Sequence, residues 1–381
     1  MAPPSKRMSE TIRPTSKMSS ISPTTTPNPR RFKSENFIGY TRVPVGLAGP
    51  LNIRTPDGET FKTCAPMATT EAALIASCSR GCKALNASGG VEYIFGREGM
   101  SRGPAFLFAN PREAQDFIMI LFYVENILSE VAESTSNHLK LVSITPHLIG
   151  CYAHVVFNYT CGDAAGQNMV SIATQRCCVW LMETYAAQYK IKRFYVDGQM
   201  SSEKKPSWGN VVTPRGVEVT AWACLPDETC QEVLGCSVAD LHDMLHMAQD
   251  GCIRNGIHGS NIDTVNVLTS VFIATGQDAA SVADASWSHG SSFYDRARNS
   301  ITVSMYFPSI PVGVVGGGTV YDTQREALEI MQCAGPKKKR QFAGFLVCFA
   351  LGLELSTAAL VVTDTFTHAH QKLRKGESAK L

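Results

Sequence analysis

The sequence predicts an α+β fold, and three observations carry that prediction. Val217, Val219, Ala221 and Ala223 share one face of residues 216–224. Ile301, Val303, Met305 and Phe307 likewise alternate with Thr302, Ser304 and Tyr306. Both stretches have the period of two expected of half-buried strands. Longer stretches keep apolar residues at helical spacing, and no internal repeat relates any of these segments.

Residues 1–33 are rich in Ser, Thr, Pro and basic residues and nearly devoid of large apolar side chains. Such a segment buries too little surface to offset its ordering entropy, so a disordered tail is expected. Pro3, Pro4, Pro14, Pro23 and Pro27 also spoil the amphipathic helix of a mitochondrial presequence. The globular part then begins near Ser34. Residues 70–85 read as a helix with Thr69 or Thr70 as N-cap, and residues 167–191 and 229–250 read as two more. Residues 323–334 form the best-bounded helix, with Thr323 and Glu326 spaced as a capping box and Gly335-Pro336 as its stop. Residues 342–362 are the most apolar stretch, but Glu354, Ser356 and Thr357 interrupt it, so a buried helix is expected rather than a membrane span.

Composition narrows the function. The 381 residues suit two or three folding units, and a net charge of +2 gives no electrostatic reason to expect nucleic acid. Only 18% of residues are charged, against an ordinary ~25%, which predicts a large core or an oligomer. The 13 cysteines include no CxxC spacing, and Cys78 and Cys82 are one helical turn apart. The N-terminus has no apolar core of a secretory signal, so the chain is read as not secreted and its thiols as reduced. No metal is expected: His242 and His246 have the spacing of a zinc helix, but Asp243 stands where that motif needs glutamate and no third ligand is evident. The basic run 337–340 follows Gly335-Pro336 and reads as an exposed turn. Ala379-Lys380-Leu381 fits the carboxy-terminal peroxisomal address and equally an ordinary basic tail, so the expected location is peroxisome or cytoplasm.

Four segments place a charged group, or a run of glycines, among small residues that let a ligand approach. They are Met67-Ala68-Thr69-Thr70-Glu71, Ser202-Glu203-Lys204-Lys205-Pro206, Gly276-Gln277-Asp278-Ala279-Ala280 and Gly313-Val314-Val315-Gly316-Gly317-Gly318-Thr319. Each has a plain structural reading as well. Glu71 suits the dipole of a helix start, paired lysines are usually solvated, Asp278 suits a helix end, and a triple glycine suits a turn.

Taken together and in this order, these strings closely resemble the catalytic domain of hydroxymethylglutaryl-coenzyme A (HMG-CoA) reductase of the eukaryotic type. The likeness begins at Glu35-Asn36-Phe37-Ile38-Gly39-Tyr40 and Pro44-Val45-Gly46-Leu47-Ala48-Gly49-Pro50. It runs through Gly99-Met100-Ser101-Arg102-Gly103-Pro104 and Gly162-Asp163-Ala164-Ala165-Gly166-Gln167-Asn168-Met169 to Glu354-Leu355-Ser356. The resemblance implies a large HMG-CoA-binding domain (34–103 and 196–381) with a small, ferredoxin-like αβ nucleotide-binding domain (104–195) inserted into it. It begins downstream of the family's upstream helices and of the membrane anchor of the animal and yeast enzymes, so no membrane span is expected.

The implied reaction is reduction of HMG-CoA to mevalonate and CoA by two NADPH, in the mevalonate route to isoprenoids and sterols. Hydride attack on the thioester carbonyl creates an oxyanion that needs a fixed cation, and Lys204 matches the family lysine in that role. Glu71 matches the glutamate that protonates the carbonyl oxygen, and Asp278 the aspartate that links lysine and glutamate. Of His368 and His370, an ungapped count from Glu354 selects His370 as the histidine that protonates the departing CoA thiolate. Arg102, Lys205 and Asn266 match substrate-side positions, with Arg102 paired to the HMG carboxylate. Ser136, Asp163, Asn168, Gly316, Gly317 and Gly318 match positions around the dinucleotide. The family's active site lies between subunits, so a homodimer or homotetramer is implied.

The chain also departs from the family pattern. Glu203 replaces an aspartate, Asp197 a serine, Pro311 a glutamate and Asp263 a histidine. A family lysine falls at His246 or is lost. Asn137 stands where an arginine would read the adenosine 2′-phosphate, which leaves NADH open beside NADPH. These departures motivate a second reading, a catalytically weakened homologue that binds CoA thioesters, statin-like lactones or reductase subunits.

Overall fold

In the computed structural model, which describes residue 36 and residues 41–365, the chain opens with the hairpin β1 (Val45–Arg54) and β2 (Thr60–Ala68). Helix α1 (Leu74–Ala87) and the long strand β3 (Val91–Arg102) follow. A second group comprises β4 (Ala105–Leu107), α2 (Pro111–Glu133), β5 (Lys140–Ile149), β6 (Tyr152–Thr160), α3 (Gln167–Tyr189) and β7 (Arg193–Tyr195). The remainder holds α4 (Trp208–Val212), β8 (Gly216–Pro226), the short turn α5 (Asp227–Thr229), α6 (Val238–Asn255) and α7 (Thr264–Thr275). It ends with β9 (His289–Asp295), β10 (Ser300–Ile310), α8 (Asp322–Ile330) and α9 (Lys339–Val362).

The strands run in the order β7-β4-β6-β3-β8-β10-β9, with β5 on β6 and the β1–β2 hairpin beside β3. Pairing is antiparallel apart from a short parallel contact between β1 and β3. The two alternating stretches of the sequence are β8 and β10, paired directly with Met305 opposite Ala221, and their predicted inward residues are all buried. Strand β3 joins two apolar cores. Its residues 92–99 pair with β8, and residues 100–102 pair with β6 after a register shift between Phe95 and Glu98. One core is built around α9; the other draws on residues 100–194 and packs α2 and α3 against β4, β5 and β6. The chain is thus α+β, with a smaller αβ unit inserted in a larger one.

Helix α9 is the one described helix long and apolar enough to cross a membrane, and most of it is buried inside the first core. Its closest neighbour is α1. A Cβ on Gly81 would lie 1.7 Å from the Gly352 carbonyl oxygen, so only glycine lets these two helices meet.

Three helix expectations need correction. Helix α1 begins at Leu74 rather than residue 70, because Ala73 is left-handed (φ 73°) and Thr69 accepts from the Glu71 amide in a turn of its own. Glu71 therefore lies outside the helix. Residues 229–250 are not one helix: after α5, a π-helical turn (Cys230–Leu234) ends at Gly235 in the left-handed region, and Ser237 caps α6 afresh. Helix α8 starts at Asp322 without a capping box, since the Thr323 hydroxyl turns to the Gln324 side chain.

Candidate active site

The lysine loop, residues 197–206, is held from beneath by a buried ion pair. Arg215, at the foot of β8, places its Nε 3.1 Å from Asp284 Oδ2, and both side chains are at most 1% exposed. The same guanidinium donates to the Ser101 carbonyl at 2.7 Å, and Asp284 Oδ1 accepts the Lys205 amide at 3.2 Å. Asn210, buried in α4, donates to the Lys205 carbonyl at 2.9 Å. Burial raises the Asp284 pKa and Arg215 opposes the rise. Removing the arginine would strand a buried carboxylate, so Arg215→Met is expected to destabilise the fold by about 3–5 kcal/mol. Urea denaturation checks this, and a loss below about 1 kcal/mol, the range of an exposed pair, would contradict it.

On this support Ser202 and Lys204 both take left-handed backbone (φ 55°), which projects the Lys204 ammonium toward Asp278. Lys204 Nζ lies 2.9 Å from Asp278 Oδ2, with the side chains 43% and 37% exposed. The hydrogen bond to Asp278 comes first among the causes that raise the Lys204 pKa, so the ammonium stays protonated. Asp278 does not sit in a helix end as the sequence implied. Helix α7 stops at Gly276 (φ 73°), and Asp278 caps the following 3-10 turn (Ala279–Ala283) by accepting the Ala280 amide.

Glu71 lies at the other end of α7. Its Oε1 accepts from Asn266 Nδ2 at 3.1 Å, and Asn266 belongs to the first turn of that helix. Twelve residues at ~1.5 Å each put the two ends about 18 Å apart. Within one chain the structure therefore brings together Glu71 with Asn266, and Lys204 with Asp278, but not one pair with the other. His370 and His368 lie outside the described residues, as do residues 1–33 and the Ala379-Lys380-Leu381 terminus.

Beside Glu71 is a carboxyl pair with no forewarning in the sequence. Glu354 of α9 accepts the Ile262 amide at 2.6 Å and the Asp263 amide at 3.3 Å, while Asp263 Oδ2 accepts the Thr357 hydroxyl at 2.6 Å. Burial pushes Glu354 up to about 8 and Asp263 up to about 6. A carboxyl whose pKa rises on folding stabilises fully below its unfolded value, here 4.5, and that stability is lost as pH climbs through the folded value. The thermal midpoint is expected to fall between about pH 5 and pH 8, and Glu354→Gln should flatten this slope. A midpoint insensitive to pH in the unmodified protein would contradict the assignment.

Arg102, which the resemblance placed on the substrate side, is not free. Arg102 Nη1 lies 2.6 Å from Glu203 Oε2 and 3.1 Å from Asp197 Oδ2. Its side chain is 8% exposed, and its Nε has no partner. The sequence pointed to an arginine waiting for a carboxylate; two carboxylates of the chain already hold it. Lys205 is exposed and donates through Nζ to the Glu203 carbonyl.

The nucleotide-side strings come together tightly. Gly313 donates its amide to Gln277 Oε1 at 2.9 Å, and the Val314 amide reaches the Asp163 carbonyl at 2.9 Å. A Cβ on Gly318 would meet the Gly276 carbonyl oxygen at 2.5 Å, so the glycine loop seats directly on the Asp278 loop. Gly316 and Gly317 have left-handed φ, and nothing lies within 4 Å of a Cβ built on either. The start of the same loop packs on residues 163–165, which lead into α3: a Cβ on Gly313 would lie 2.4 Å from the Ala165 amide. No side chain caps the start of α3, a favourable arrangement for phosphate. Asn168 is exposed in the first turn of α3, and Ser136 accepts the His138 amide in the turn next to Gly162. The Asp163 carboxylate accepts the Lys337 amide at 2.7 Å and that of Lys339 at 3.4 Å, and so ties this loop to the start of α9.

Among the described residues no group of three or more His, Cys, Asp and Glu side chains is placed to hold a metal. His242 and His246 meet edge to face with ring centroids 4.3 Å apart, and His242 Nδ1 pairs with Ser292 Oγ.

Comparison with known proteins supplies the family. Residues 12–375 match the sequence profile of hydroxymethylglutaryl-coenzyme A reductase. The chain is 32% identical over 352 residues to the 3-hydroxy-3-methylglutaryl-coenzyme A reductase of Methanothermobacter thermautotrophicus, covering 91% of this chain and 86% of that one. It is 34% identical over 351 residues to that of Haloferax volcanii, with 89% and 84% covered. The reductase of Schizosaccharomyces pombe is 33% identical over 355 residues, 90% of this chain and 33% of the longer relative. In structure, a class II 3-hydroxy-3-methylglutaryl-CoA reductase from Streptococcus pneumoniae, bound to NADPH in open conformations, superposes with a TM-score of 0.67 at 17% identity. That match covers 86% of this chain and 87% of that one.

Proposed function

Because the chain belongs to the hydroxymethylglutaryl-coenzyme A reductase family, we propose that it reduces HMG-CoA to mevalonate and free CoA with two NADPH. The observation that carries this reading is the Lys204–Asp278 pair on its buried Arg215–Asp284 support. A fixed, protonated ammonium is what a developing oxyanion requires.

The residues divide the work by charge. Bound NADPH would supply hydride to the thioester carbonyl carbon. The charge that gathers on the carbonyl oxygen is met by Lys204, which Asp278 keeps protonated and oriented. Glu71, steadied by Asn266, delivers a proton to that oxygen. The hydroxyl of the resulting hemithioacetal returns its proton to Glu71 as the carbon–sulfur bond breaks, which leaves an aldehyde, and His370 protonates the departing sulfur before it can return. A second reduction yields the alcohol; over both steps, two hydrides and two protons are consumed. The open glycines Gly316 and Gly317 and the uncapped start of α3 suit the pyrophosphate of the dinucleotide, with Asn168, Asp163 and Ser136 around it. We assign this nucleotide role largely to residues 104–195 and HMG-CoA binding to the rest.

Glu71 and Lys204 sit at opposite ends of α7, which supports a homodimer or homotetramer whose sites take the acid from one subunit and the lysine from another. The relatives support the family and not the eukaryotic type within it, because archaeal and fungal reductases are equally similar to this chain. No observation favours the binding-only homologue, since the Lys204–Asp278 pair is formed. The test is to mix purified protein with HMG-CoA and either NADPH or NADH and to follow nicotinamide oxidation with thiol release. Oxidation is expected, and faster with NADPH. None with either cofactor, in a folded sample, would leave the binding-only reading.

A further inference from the structure

We infer that Asp197 sets the acyl specificity of this site, by occupying Arg102 in competition with the carboxylate of the substrate. The inference rests on the reductase reading and refines its substrate class. On that reading Arg102 is the cation that meets the acyl end; it is buried, and its Nη1 already contacts both Glu203 and Asp197. Asp197 does not swing freely. Asp197 Oδ1 accepts the Gln199 amide at 2.8 Å, and the Gly198 amide is tied to the Gly103 carbonyl at 2.6 Å. The loop also hugs the end of β3: a Cβ on Gly103 would lie 3.0 Å from the Ser201 amide. One guanidinium thus faces two carboxylates, one of them held by its own loop, and the three side chains carry a formal charge of −1 before any ligand arrives.

A third carboxylate brought to this cluster meets repulsion from two acids and shares a guanidinium already bonded on one side. An uncharged acyl end meets no such repulsion and loses only a hydrogen bond. The site therefore discriminates weakly between HMG-CoA and a CoA thioester of the same branched hydroxyacyl skeleton that ends in a neutral group. Removing the Asp197 charge returns Arg102 to the anionic acyl end, and the gain falls on KM rather than on kcat, because Asp197 touches no reacting atom.

The experiment compares kcat/KM for HMG-CoA and for 3-hydroxy-3-methylbutanoyl-CoA in the unmodified enzyme, Asp197→Ser and Asp197→Asn. Both substrates see the same active enzyme, so their ratio is independent of the folded fraction. The unmodified enzyme is expected to prefer HMG-CoA by less than about tenfold, and both variants to raise that preference by at least about tenfold, through KM for HMG-CoA. A rise of less than tenfold in both variants overturns the inference. Calorimetric titration of the same two thioesters gives the ratio from Kd as well. If no enzyme turns over HMG-CoA, the reductase reading fails while the Kd ratio still decides the role of Asp197. If neither thioester binds any of the three proteins, both fail.

Discussion

Replacing Lys204 with alanine should lower turnover of HMG-CoA by about 100- to 1000-fold, the scale of losing one donor to a developing oxyanion. The loss should appear mainly in kcat, because Lys204 is called upon when the carbonyl oxygen becomes charged. The fold should barely notice. The Lys204–Asp278 pair is more than a third exposed on both sides, and such pairs contribute little to stability. The loop keeps its Arg215–Asp284 support and its Asn210 contact in the variant. Steady-state kinetics beside a thermal melt separate the outcomes: an unchanged rate removes Lys204 from the chemistry, and a collapsed melt makes its role structural.

The second large effect belongs to Glu71. Glu71→Gln keeps an acceptor for Asn266 and removes the proton, so the rate should drop by about 100- to 10,000-fold, with KM much less affected. The 18 Å geometry of α7 adds a sharper expectation. Each single variant is expected to keep only a small fraction of the rate, yet subunits carrying Glu71→Gln, reassociated with subunits carrying Lys204→Ala, should recover part of the activity. One site in such a hybrid keeps both native residues. No recovery after demonstrated subunit exchange would place acid and lysine in the same chain.

Much of this arrangement was legible in the sequence where periodicity is strong and the burial one-sided. Strands β8 and β10 read correctly because one face of each is inward, and a one-residue slip would expose the whole apolar set. The helix starts misread were those governed by single backbone conformations: left-handed Ala73 before α1 and Gly235 within the span read as one helix. Motifs located Lys204, Asp278, Glu71 and the triple glycine, and the fold seats the glycine loop on the Asp278 loop. The groups beneath them were illegible. Arg215 and Asp284 are 69 residues apart, and the Asp263 amide meets Glu354 across 91, so no local pattern announces either contact. Arg102 was legible as a residue but not as a partner, since its two acids come from a loop that only the fold brings to the end of β3.

The central claim is that this chain carries a thioester through two successive reductions. The most direct measurement is stoichiometric: limiting HMG-CoA, excess NADPH, and counts of nicotinamide oxidised, thiol released and mevalonate formed. Two nicotinamides oxidised and one mevalonate formed per thiol are expected. One nicotinamide per thiol with no mevalonate, or thiol released without any oxidation, would contradict it.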